Sequence, residues 1–434
     1  MKDKSKIDFL AGEYSLESRL VHGQFKTPKW EFHHHVVPPL TLSTTFRLDS
    51  VERGAKGFEK FGKPIAEDEE YIYIYDRLDE PTRGMLEDRM AFIEEGEIGV
   101  GYSSGMAAIS AAIGVLCKSG SQIVAHRTIY GCTHDLFTKW LPRFDIEVTF
   151  IDMTDVENLR KSIKKNTRVV YFETPANPTL ELIDIRAVKE VVDEANKNRD
   201  EEDRIYIVVD NTFATSWCQR PISLGADFVV HSLTKNISGF GTHMGGIVIA
   251  PKKFQKDLMQ WRKDFGAVLS PMNAWSILVY GLSTLPLRMK RQVPTAQKVA
   301  EFLESHPKVK YVSYPGLDSF PQKELARRQM ISPEGEFSPG IMIYFYIAGD
   351  GEEARQRAKR LMNYIAEKSY TITLAVSLGQ LRTLIEHPAS MTHSGYSIEE
   401  LKRAGIAPEG VRLSIGIESP EDIIKDLKEA LEHC

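Results

Sequence analysis

An aspartate and a lysine each follow an apolar run in the middle of the chain. Asp210 follows the run IYIVV, and Lys235 comes 25 residues later, at the end of DFVVHSLT. On consecutive strand–loop units both side chains would face one crevice at the carboxyl ends of the strands. A carboxylate can keep a pyridine nitrogen protonated, and a lysine amine can form a Schiff base with an aldehyde. Taken alone, each residue also suits a turn or a solvated strand end, so the pair needs further support.

A serine- and glycine-containing segment supplies some of that support. The segment SSGMAA begins at Ser103 and opens an Ala- and Ile-rich stretch that is typical of a helix. Free N–H groups at a helix start attract phosphate, although the same segment also suits a plain N-cap. Ser232 and Thr234 add two hydroxyls beside Lys235, and we expect them on one face of an extended strand end. A cofactor that combines a phosphate, an aldehyde and a pyridine ring could use all of these residues, and pyridoxal 5′-phosphate (PLP) is such a cofactor.

Two more residues are candidates for contacts with the ring and with a substrate. Tyr130, in HRTIYGCTHDLF, could stack on a pyridine ring and fix its plane. Arg412, in GVRLSIGIE, could hold the α-carboxylate of an amino acid through its planar fork. Spacing alone assigns neither role, since a buried tyrosine and a surface arginine are the ordinary interpretations.

The elements that must position these residues alternate along the chain from about 86 to 285. Helical stretches are separated by short apolar runs: QIVAH, RVVYFE, YIVVDN, DFVVHS and GGIVIAP. Continuous Val and Ile runs predict strands buried on both faces, typical of a parallel α/β sheet. After about 286, segments such as TAQKVAEFLESH and IMIYFYI predict a smaller α+β domain. We therefore predict an N-terminal arm over 1–75, a large domain over 76–285 and a small domain over 286–434.

The composition favours small-molecule partners. The chain has 434 residues, 42% hydrophobic and 26% charged, with a net charge of −5, which does not favour nucleic acid. The first residues lack an apolar signal region, and no stretch approaches the roughly 18 apolar residues of a membrane span. Four cysteines without a CxxC pair fit a reducing, cytoplasmic compartment. The histidines from His33 to His35 suit a polar arm rather than a metal site.

Several separated motifs, in their order, make the chain similar to the Cys/Met-metabolism PLP enzyme family. The resemblance runs from about Val37 to the end and rests on YDRLDEPT, SSGMAA, YGCT, ETPANPT, DNTFAT, HSLTK, SLGQLRTLIEHPASMTHS and VRLSIGIE. It implies a large domain of the aspartate-aminotransferase type (fold type I), with a mostly parallel sheet, a small C-terminal α+β domain and an extended arm. It also implies PLP as cofactor and an amino acid as substrate.

The resemblance gives each matched residue an expected role. Lys235 would bind the cofactor and transfer protons, Asp210 would face the ring nitrogen, and Tyr130 would stack on the ring and act as an acid. The other cofactor contacts would come from Gly105, Met106, Asn177, Ser232 and Thr234, while Arg412 and the backbone around Ser377 would bind the substrate carboxylate. Tyr75 and Arg77 would contact the phosphate of the neighbouring subunit. That sharing implies a dimer, and the family implies a homotetramer built from dimers.

Departures from the family pattern bear on the substrate. Cys132 stands where cystathionine enzymes usually carry glycine, which resembles the methionine γ-lyase branch, although a small buried cysteine is also possible. Lys263-Asp264 resembles a pair in the same branch. Arg382 stands where many members have glutamate and should repel the distal ammonium of cystathionine. The resemblance thus implies a carbon–sulfur lyase that converts methionine or homocysteine to 2-oxobutanoate, ammonia and a thiol or sulfide by γ-elimination.

Other functions stay open on the sequence. Asp79-Glu80 replaces a small residue plus Asn, and Tyr280 replaces an Arg, so the exact substrate is not fixed. A cystathionine γ-lyase, or a γ-replacement enzyme such as a cystathionine γ-synthase or an O-acylhomoserine sulfhydrylase, would carry the same cofactor residues. A dinucleotide-binding protein is suggested by GFGTHMGG, but that segment lacks the strand-to-helix context of a Rossmann motif. A catalytically dead scaffold would have no reason to keep such buried charges.

Overall fold

The structure, a computed structural model, describes residues 14–24, 26–27, 29–31, 34–65, 69–391, 399, 401 and 405–434. His33 and the end of the motif SLGQLRTLIEHPASMTHS lie outside these ranges. Within them, no helix combines the length and the apolar character that crossing a membrane requires.

A seven-stranded sheet lies at the centre of the larger part of the molecule. Its strands, in chain order, are β1 (Ile98–Tyr102), β2 (Gln122–His126), β3 (Glu147–Ile151), β4 (Thr167–Glu173), β5 (Tyr206–Asp210), β6 (Phe228–His231) and β7 (Gly246–Ala250). Their order across the sheet is β1-β7-β6-β5-β4-β2-β3. The strands from β6 to β3 run parallel, while β7 is antiparallel to both of its neighbours. This confirms the predicted α/β fold with a mostly parallel sheet.

The Val and Ile runs form strands because helices cover both faces of the sheet. Val209 and Val229 pack into one apolar cluster, and Val208 and Val230 pack into another on the opposite face. All five predicted runs form strands. Gly246–Ala250 is buried on both faces but antiparallel, so a continuous apolar run predicts burial and does not fix strand direction.

A five-stranded sheet forms the core of the C-terminal part. Its strands are β8 (Val309–Ser313), β9 (Met342–Ile347), β10 (Ile372–Leu374), β11 (Thr383–Glu386) and β12 (Gly410–Ser414), in the order β10-β11-β12-β9-β8. Only the β10–β11 pairing is parallel. This second, smaller sheet agrees with the mixture of helices and strands predicted after about residue 286.

Helices surround the two sheets. Among the described residues, the α-helices are Leu16–His22, Val51–Lys60, Pro81–Ile93, Gly105–Leu116, Gly131–Asp135, Val156–Ser162, Ile185–Asn196, Thr215–Cys218, Pro221–Leu224, Gln255–Phe265, Pro271–Ser276, Ser283–Ser305, Lys323–Gln329, Gly351–Lys368 and Pro420–Glu432. The long helix Ser283–Ser305 runs through the boundary predicted between 285 and 286 and contacts β8 of the second sheet. The division into three regions stays a prediction.

Candidate active site

One cavity of about 370 Å³ lies where β4, β5 and β6 end. Carboxyl ends of adjacent parallel strands meet at one edge of a sheet, which is where ligands of α/β proteins bind. The cavity brings together ten of the residues singled out in the sequence: Gly105, Met106, Tyr130, Asn177, Asp210, Ser232, Thr234, Lys235, Ser377 and Arg412. The sequence therefore located the cavity, while the role of each residue stays a prediction.

Lys235 lies in a turn just after β6, with its amine directed at the second sheet. Its Nζ donates a hydrogen bond to Oγ of Ser377 at 2.7 Å. Burial, together with the positive charge of Arg412, lowers the pKa of Lys235 to about 8. Ser377 has a φ of +93°, a backbone conformation that non-glycine residues rarely adopt. A lysine amine that becomes neutral near physiological pH is suited to attack a carbonyl carbon.

Asp210 is the last residue of β5 and faces the same cavity. Its Oδ1 accepts a hydrogen bond from the main-chain N–H of Thr212 at 2.9 Å. Burial raises the pKa of Asp210 above its usual range. Such a carboxylate gains from a nearby cation, and a protonated ring nitrogen would supply one.

Glu173 is a cavity residue that the sequence reasoning did not assign to the site. It ends β4, pairs in register with Asp210 on β5, and is 5% exposed. Its Oε1 accepts a hydrogen bond from the main-chain N–H of Tyr130 at 2.6 Å. Burial and the charge of Asp210 raise the pKa of Glu173 well above its usual range. The sequence did contain an indication of this role, because Glu173 follows the apolar run RVVYF just as Asp210 follows IYIVV, and it begins the motif ETPANPT.

The start of the helix Gly105–Leu116 forms one wall of the cavity. Ser104 is the N-cap and accepts a hydrogen bond from the N–H of Ala107. The N–H groups of Gly105 and Met106 precede the first i to i−4 bond of the helix and are oriented to bind an anion. A Cβ atom at Gly105 would lie 2.7 Å from Cβ of Ser232, so only glycine allows this approach.

The expectation of an extended strand end at Ser232 and Thr234 is wrong. β6 ends at His231, and the N–H of Lys235 bonds to the carbonyl of Ser232 in a turn. The turn is stabilised by Gly245, whose carbonyl accepts from the Thr234 hydroxyl at 3.2 Å. Both hydroxyl residues nevertheless line the cavity, because the turn brings them towards the helix start.

Arg412 lies on β12, and the ordinary interpretation as a surface arginine is wrong. The residue is 3% exposed. It donates to Oδ1 of Asn177 at 2.9 Å and to the carbonyl of Ser377 at 3.0 Å, and it forms an ion pair with Glu386 at 2.9 Å. The guanidinium therefore joins the two sheets at the cavity, where a substrate carboxylate could bind it.

Three of the proposed site residues do not line this cavity. Cys132 is exposed, and its Sγ lies 3.3 Å from the hydroxyl oxygen of Tyr130. Tyr75 is 40% exposed, with the guanidinium of Arg77 5.7 Å from the centre of its ring. Arg77 donates to the carbonyl of Lys263 at 2.6 Å. Tyr75 and Arg77 thus stand on the outer surface of their own chain.

The structure gives local explanations for two of the departures from the family pattern. Glu80 is the N-cap of the helix Pro81–Ile93 and accepts hydrogen bonds from the N–H groups of Thr82 and Arg83. Asp79 is buried and lies 3.5 Å from the guanidinium of Arg262. Both carboxylates therefore have a structural role within the chain: Glu80 caps a helix, and Asp79 lies beside a buried guanidinium.

Arg382, Tyr280 and the pair Lys263-Asp264 lie away from the cavity lining. Arg382 is exposed, which removes the basis, within one chain, for its expected repulsion of cystathionine. Tyr280 is 52% exposed and packs edge-on against Trp275. Lys263 and Asp264 form an ion pair with each other at 3.3 Å.

The residues of the cavity fit PLP. Main-chain N–H and hydroxyl donors at Gly105, Ser232 and Thr234 suit a phosphate, and the carboxylate of Asp210 suits a protonated ring nitrogen. Lys235 offers an amine that loses its proton readily. The dinucleotide alternative fails on context, because 239–245 is a loop that leads into β7 rather than from a strand into a helix.

Comparisons with known proteins identify the family of the chain. Residues 17–432 match the family described as Cys/Met metabolism PLP-dependent enzyme. An L-methionine gamma-lyase from Fusobacterium nucleatum subsp. polymorphum is 45% identical, over 91% of this chain and 93% of the relative. One from Pseudomonas deceptionensis is 39% identical over 100% of this chain and 99% of the relative.

A solved structure gives the same result for the fold. A putative O-acetylhomoserine (thiol)-lyase from Campylobacter jejuni, which contains N′-pyridoxyl-lysine-5′-monophosphate, superposes with a TM-score of 0.84 at 31% identity. The superposition covers 96% of this chain and 100% of that one. With a cavity suited to PLP and a family match over almost its whole length, the chain belongs to the Cys/Met-metabolism PLP-dependent enzymes.

Proposed function

We propose that the protein is a PLP-dependent carbon–sulfur lyase that acts on sulfur amino acids by γ-elimination. Methionine or homocysteine would be converted, with water, to 2-oxobutanoate, ammonia and methanethiol or hydrogen sulfide. The observation that carries this proposal is the cavity in which Lys235, with its lowered pKa, lies near Asp210 and Arg412. Six relatives described as L-methionine gamma-lyases, from 39% to 45% identical, support the choice of substrate.

The roles proposed for the cofactor residues follow from their chemistry. Gly105, Met106, Ser232 and Thr234 would hold the phosphate, Asn177 the ring hydroxyl and Asp210 the ring nitrogen. When bound, PLP supplies an electron sink for the bonds at Cα and Cβ of the substrate. Arg412 would hold the substrate α-carboxylate through its fork and so fix which bonds face Lys235.

Lys235 and Tyr130 would move the protons. Lys235 is the lysine among the residues that line the cavity. Its neutral amine would take the proton from Cα, pass that proton on to the cofactor, and so be neutral again to take one from Cβ. Tyr130 donates its hydroxyl proton to the departing sulfur, because burial and the nearby Cys132 raise the pKa of Tyr130 and keep the hydroxyl protonated. Cys132 would lie beside the leaving group and act through the Tyr130 hydroxyl.

We also propose that the active site is shared between subunits. Tyr75 and Arg77 lie on the outer surface of their own chain, where a second subunit could receive them at its phosphate site. A pair of such subunits would form two sites, and two pairs would form a homotetramer. The division into an arm (1–75), a large domain (76–285) and a small domain (286–434) belongs to the same proposal.

A second candidate function is lysis or synthesis of cystathionine. A cystathionine gamma-lyase from Bacillus subtilis is 37% identical over 83% of this chain and 89% of the relative. A γ-replacement enzyme would use the same cofactor contacts and differ in the group that adds to the substrate. The cavity residues named above do not separate these reactions.

The test is a comparison of products. Purified protein with PLP is incubated with methionine, homocysteine, cystathionine and O-acylhomoserines, with and without cysteine, and 2-oxobutanoate and thiol are measured. Release of 2-oxobutanoate and methanethiol from methionine without an added thiol supports the proposal. Turnover of an O-acylhomoserine only when cysteine or sulfide is present would identify a replacement enzyme instead. Lys235→Ala serves as the control, since it should lack both turnover and the visible absorbance of lysine-bound cofactor.

Subunit sharing is tested by complementation. Chains with Lys235→Ala and chains with Arg77→Ala should each be inactive alone. In a mixed dimer, the Arg77→Ala chain supplies Lys235 and the Lys235→Ala chain supplies an intact Arg77, so one of the two sites is complete. Random mixing should restore roughly a quarter of the wild-type activity, since half of the dimers then carry one intact site of two. Well-mixed dimers that stay inactive would contradict sharing.

A further inference from the structure

Two arginines that have no contact with solvent lie beneath the segment that carries the exposed residues Tyr75 and Arg77. Arg83 and Arg262 are both 0% exposed. The first comes from the helix Pro81–Ile93 and the second from the helix Gln255–Phe265. We call these two residues the arginine clamp.

Arg83 holds the segment on one side of Arg77. Its guanidinium donates to the main-chain carbonyl of Asp76 and, at 3.0 Å, to the carboxylate of the same residue. A further bond at 2.9 Å goes to the carbonyl of Leu269, in the stretch between two helices. Asp76 is therefore fixed through both its backbone and its side chain.

Arg262 holds the segment on the other side. It donates to the carbonyl of Leu78 at 2.8 Å and to the carbonyl of Gly101, on β1, at 3.2 Å. It also bonds to Glu87, and its guanidinium lies 3.5 Å from Asp79. Both neighbours of Arg77 in the chain are thus bonded through their carbonyls to a buried guanidinium, while Arg77 itself points outward.

Stability alone is a weak reason for this arrangement. Burying charged groups costs free energy, and ion pairs with good geometry often only offset that cost. Two hydrogen bonds of the clamp go to the main-chain carbonyls on either side of Arg77, those of Asp76 and Leu78. A planar fork can hold such groups in a fixed geometry better than an ammonium can. The clamp therefore attaches the segment that carries Arg77 to two helices of the domain, and so fixes the position of Arg77.

We propose that Arg83 and Arg262 are positioning residues that act in trans. They hold Tyr75 and Arg77 in the conformation that binds the cofactor phosphate in the partner subunit. This inference rests on the shared active site proposed above, and its test is built on the complementing pair Lys235→Ala and Arg77→Ala. If that pair fails to complement, the shared site is wrong; if it complements and the clamp variants do not behave as stated below, only the clamp is wrong.

The experiment places Arg262→Met on either chain of the complementing pair. On the Lys235→Ala chain, which donates the intact segment, the substitution should abolish most of the restored activity. On the Arg77→Ala chain, which donates the lysine, it should leave most of that activity in place. Every homodimer in both mixtures is inactive, so the activity comes from mixed dimers alone.

Cofactor binding gives a second readout that does not depend on turnover. The visible absorbance of lysine-bound PLP arises only from the chain that carries Lys235. Half of the Lys235 sites lie in mixed dimers, and the other half lie in Arg77→Ala homodimers that lack an intact Arg77 in either mixture. When the cofactor-free mixtures are titrated with PLP, the mixed-dimer sites should require about tenfold more PLP, or more, when Arg262→Met is on the Lys235→Ala chain, as expected for loss of a charge-assisted hydrogen bond. On the other chain the titration should be unchanged.

Arg288 provides the matched control, since it is another buried arginine that donates to backbone carbonyls. It is 4% exposed and donates to the carbonyl of Asn236 at 2.7 Å and of Ile237 at 3.2 Å, directly after Lys235. Arg288→Met should therefore give the opposite pattern, with loss on the lysine-bearing chain and retention on the Lys235→Ala chain. General destabilisation would not produce opposite patterns for two buried arginines.

Arg262→Lys keeps the experiment decisive if Arg262→Met does not fold. Lysine retains a cation beside Glu87 and Asp79 but cannot bond to Leu78 and Gly101 at the same time. It should weaken PLP binding with the same chain dependence, to a smaller extent. Equal loss from either chain, or loss only on the lysine-bearing chain, would overturn the proposal.

Discussion

Glu173 Oε1 lies 2.6 Å from the main-chain nitrogen of Tyr130, whose N–H it accepts as a hydrogen bond. The bond joins the end of β4 to the residue proposed to cover the cofactor ring. Burial and the charge of Asp210 raise the pKa of Glu173 well above its usual range, which favours the neutral carboxyl form, and that form still offers an oxygen as acceptor. The hydrogen bond to Glu173 thus fixes the main chain of Tyr130 at the end of β4.

This relationship predicts that Glu173→Gln is tolerated and Glu173→Ala is not. Glutamine keeps a neutral acceptor, so kcat/KM should stay within about threefold of wild type. Alanine leaves the N–H of Tyr130 without that acceptor, which costs about 1–3 kcal/mol and should lower kcat/KM by about 5- to 150-fold. Circular dichroism of the bound cofactor would report the ring environment independently. A glutamine variant as impaired as the alanine variant would show that the ionised form is required.

The rate of PLP uptake should depend on pH through Lys235. Only the neutral amine attacks an aldehyde, and the pKa of Lys235 is lowered to about 8. Uptake by the cofactor-free protein should therefore accelerate as pH rises through about 8 and level off above it. Arg412→Met removes a positive charge that disfavours the ammonium form and leaves Glu386, which favours it. The midpoint should therefore move to higher pH.

Stopped-flow absorbance on the two cofactor-free proteins checks this prediction. A profile measured from about pH 6 to about pH 10 should rise in both proteins and differ only in its midpoint. An unchanged midpoint in Arg412→Met would show that the guanidinium has no influence on the lysine, and a downward shift would contradict the sign of the argument.

Asp210→Asn should separate cofactor binding from catalysis. An amide cannot hold the ring nitrogen in its protonated form, so electron withdrawal from the substrate weakens. The variant should still bind PLP through Lys235 and the phosphate contacts. Its turnover should fall at least about a hundredfold, similar to the loss of one electrostatic contact in other active sites. Full turnover in the variant would mean that another group protonates the ring.

The large sheet was readable in the sequence because its strands are continuous apolar runs. The two strands that the runs did not reveal have a different composition. β1 has the sequence IGVGY, with two glycines, and β3 has EVTFI, which begins with a charge and lies at the sheet edge with partial exposure. Neither has the apolar continuity of a strand buried on both faces. The antiparallel direction of β7 could not be predicted, since it depends on connections rather than composition.

The site was predictable to the extent that its residues lie in motifs at strand ends. Asp210 and Lys235 follow apolar runs, and the structure brings them into one cavity. The burial of Arg412 was not predictable, because it depends on Asn177 and Ser377, which are distant in sequence. The same holds for Asp79, whose partner Arg262 lies far along the chain on the helix Gln255–Phe265. Long-range ionic contacts leave no local pattern in a sequence.

The choice of substrate is expected to depend on Cys132 more than on Arg382. Sγ of Cys132 lies 3.3 Å from the Tyr130 hydroxyl, the group proposed to protonate the departing sulfur. Removing the thiol in Cys132→Gly leaves room beside the leaving group, so the ratio of kcat/KM for methionine to that for cystathionine should fall by about tenfold or more. Arg382 is exposed and outside the cavity lining, so Arg382→Glu should change the same ratio by no more than about twofold.

The measurement is a set of kcat/KM values for methionine, homocysteine and cystathionine in wild type and both variants, with Arg382→Gln as a neutral control. Wild type should prefer methionine or homocysteine to cystathionine. If Arg382→Glu raises cystathionine turnover strongly while Arg382→Gln does not, the charge at this position reaches the substrate, and a subunit contact must bring it there. A clear preference of the wild type for cystathionine would overturn the assignment of substrate. It would leave the PLP site intact, because neither Cys132 nor Arg382 belongs to the proposed cofactor contacts.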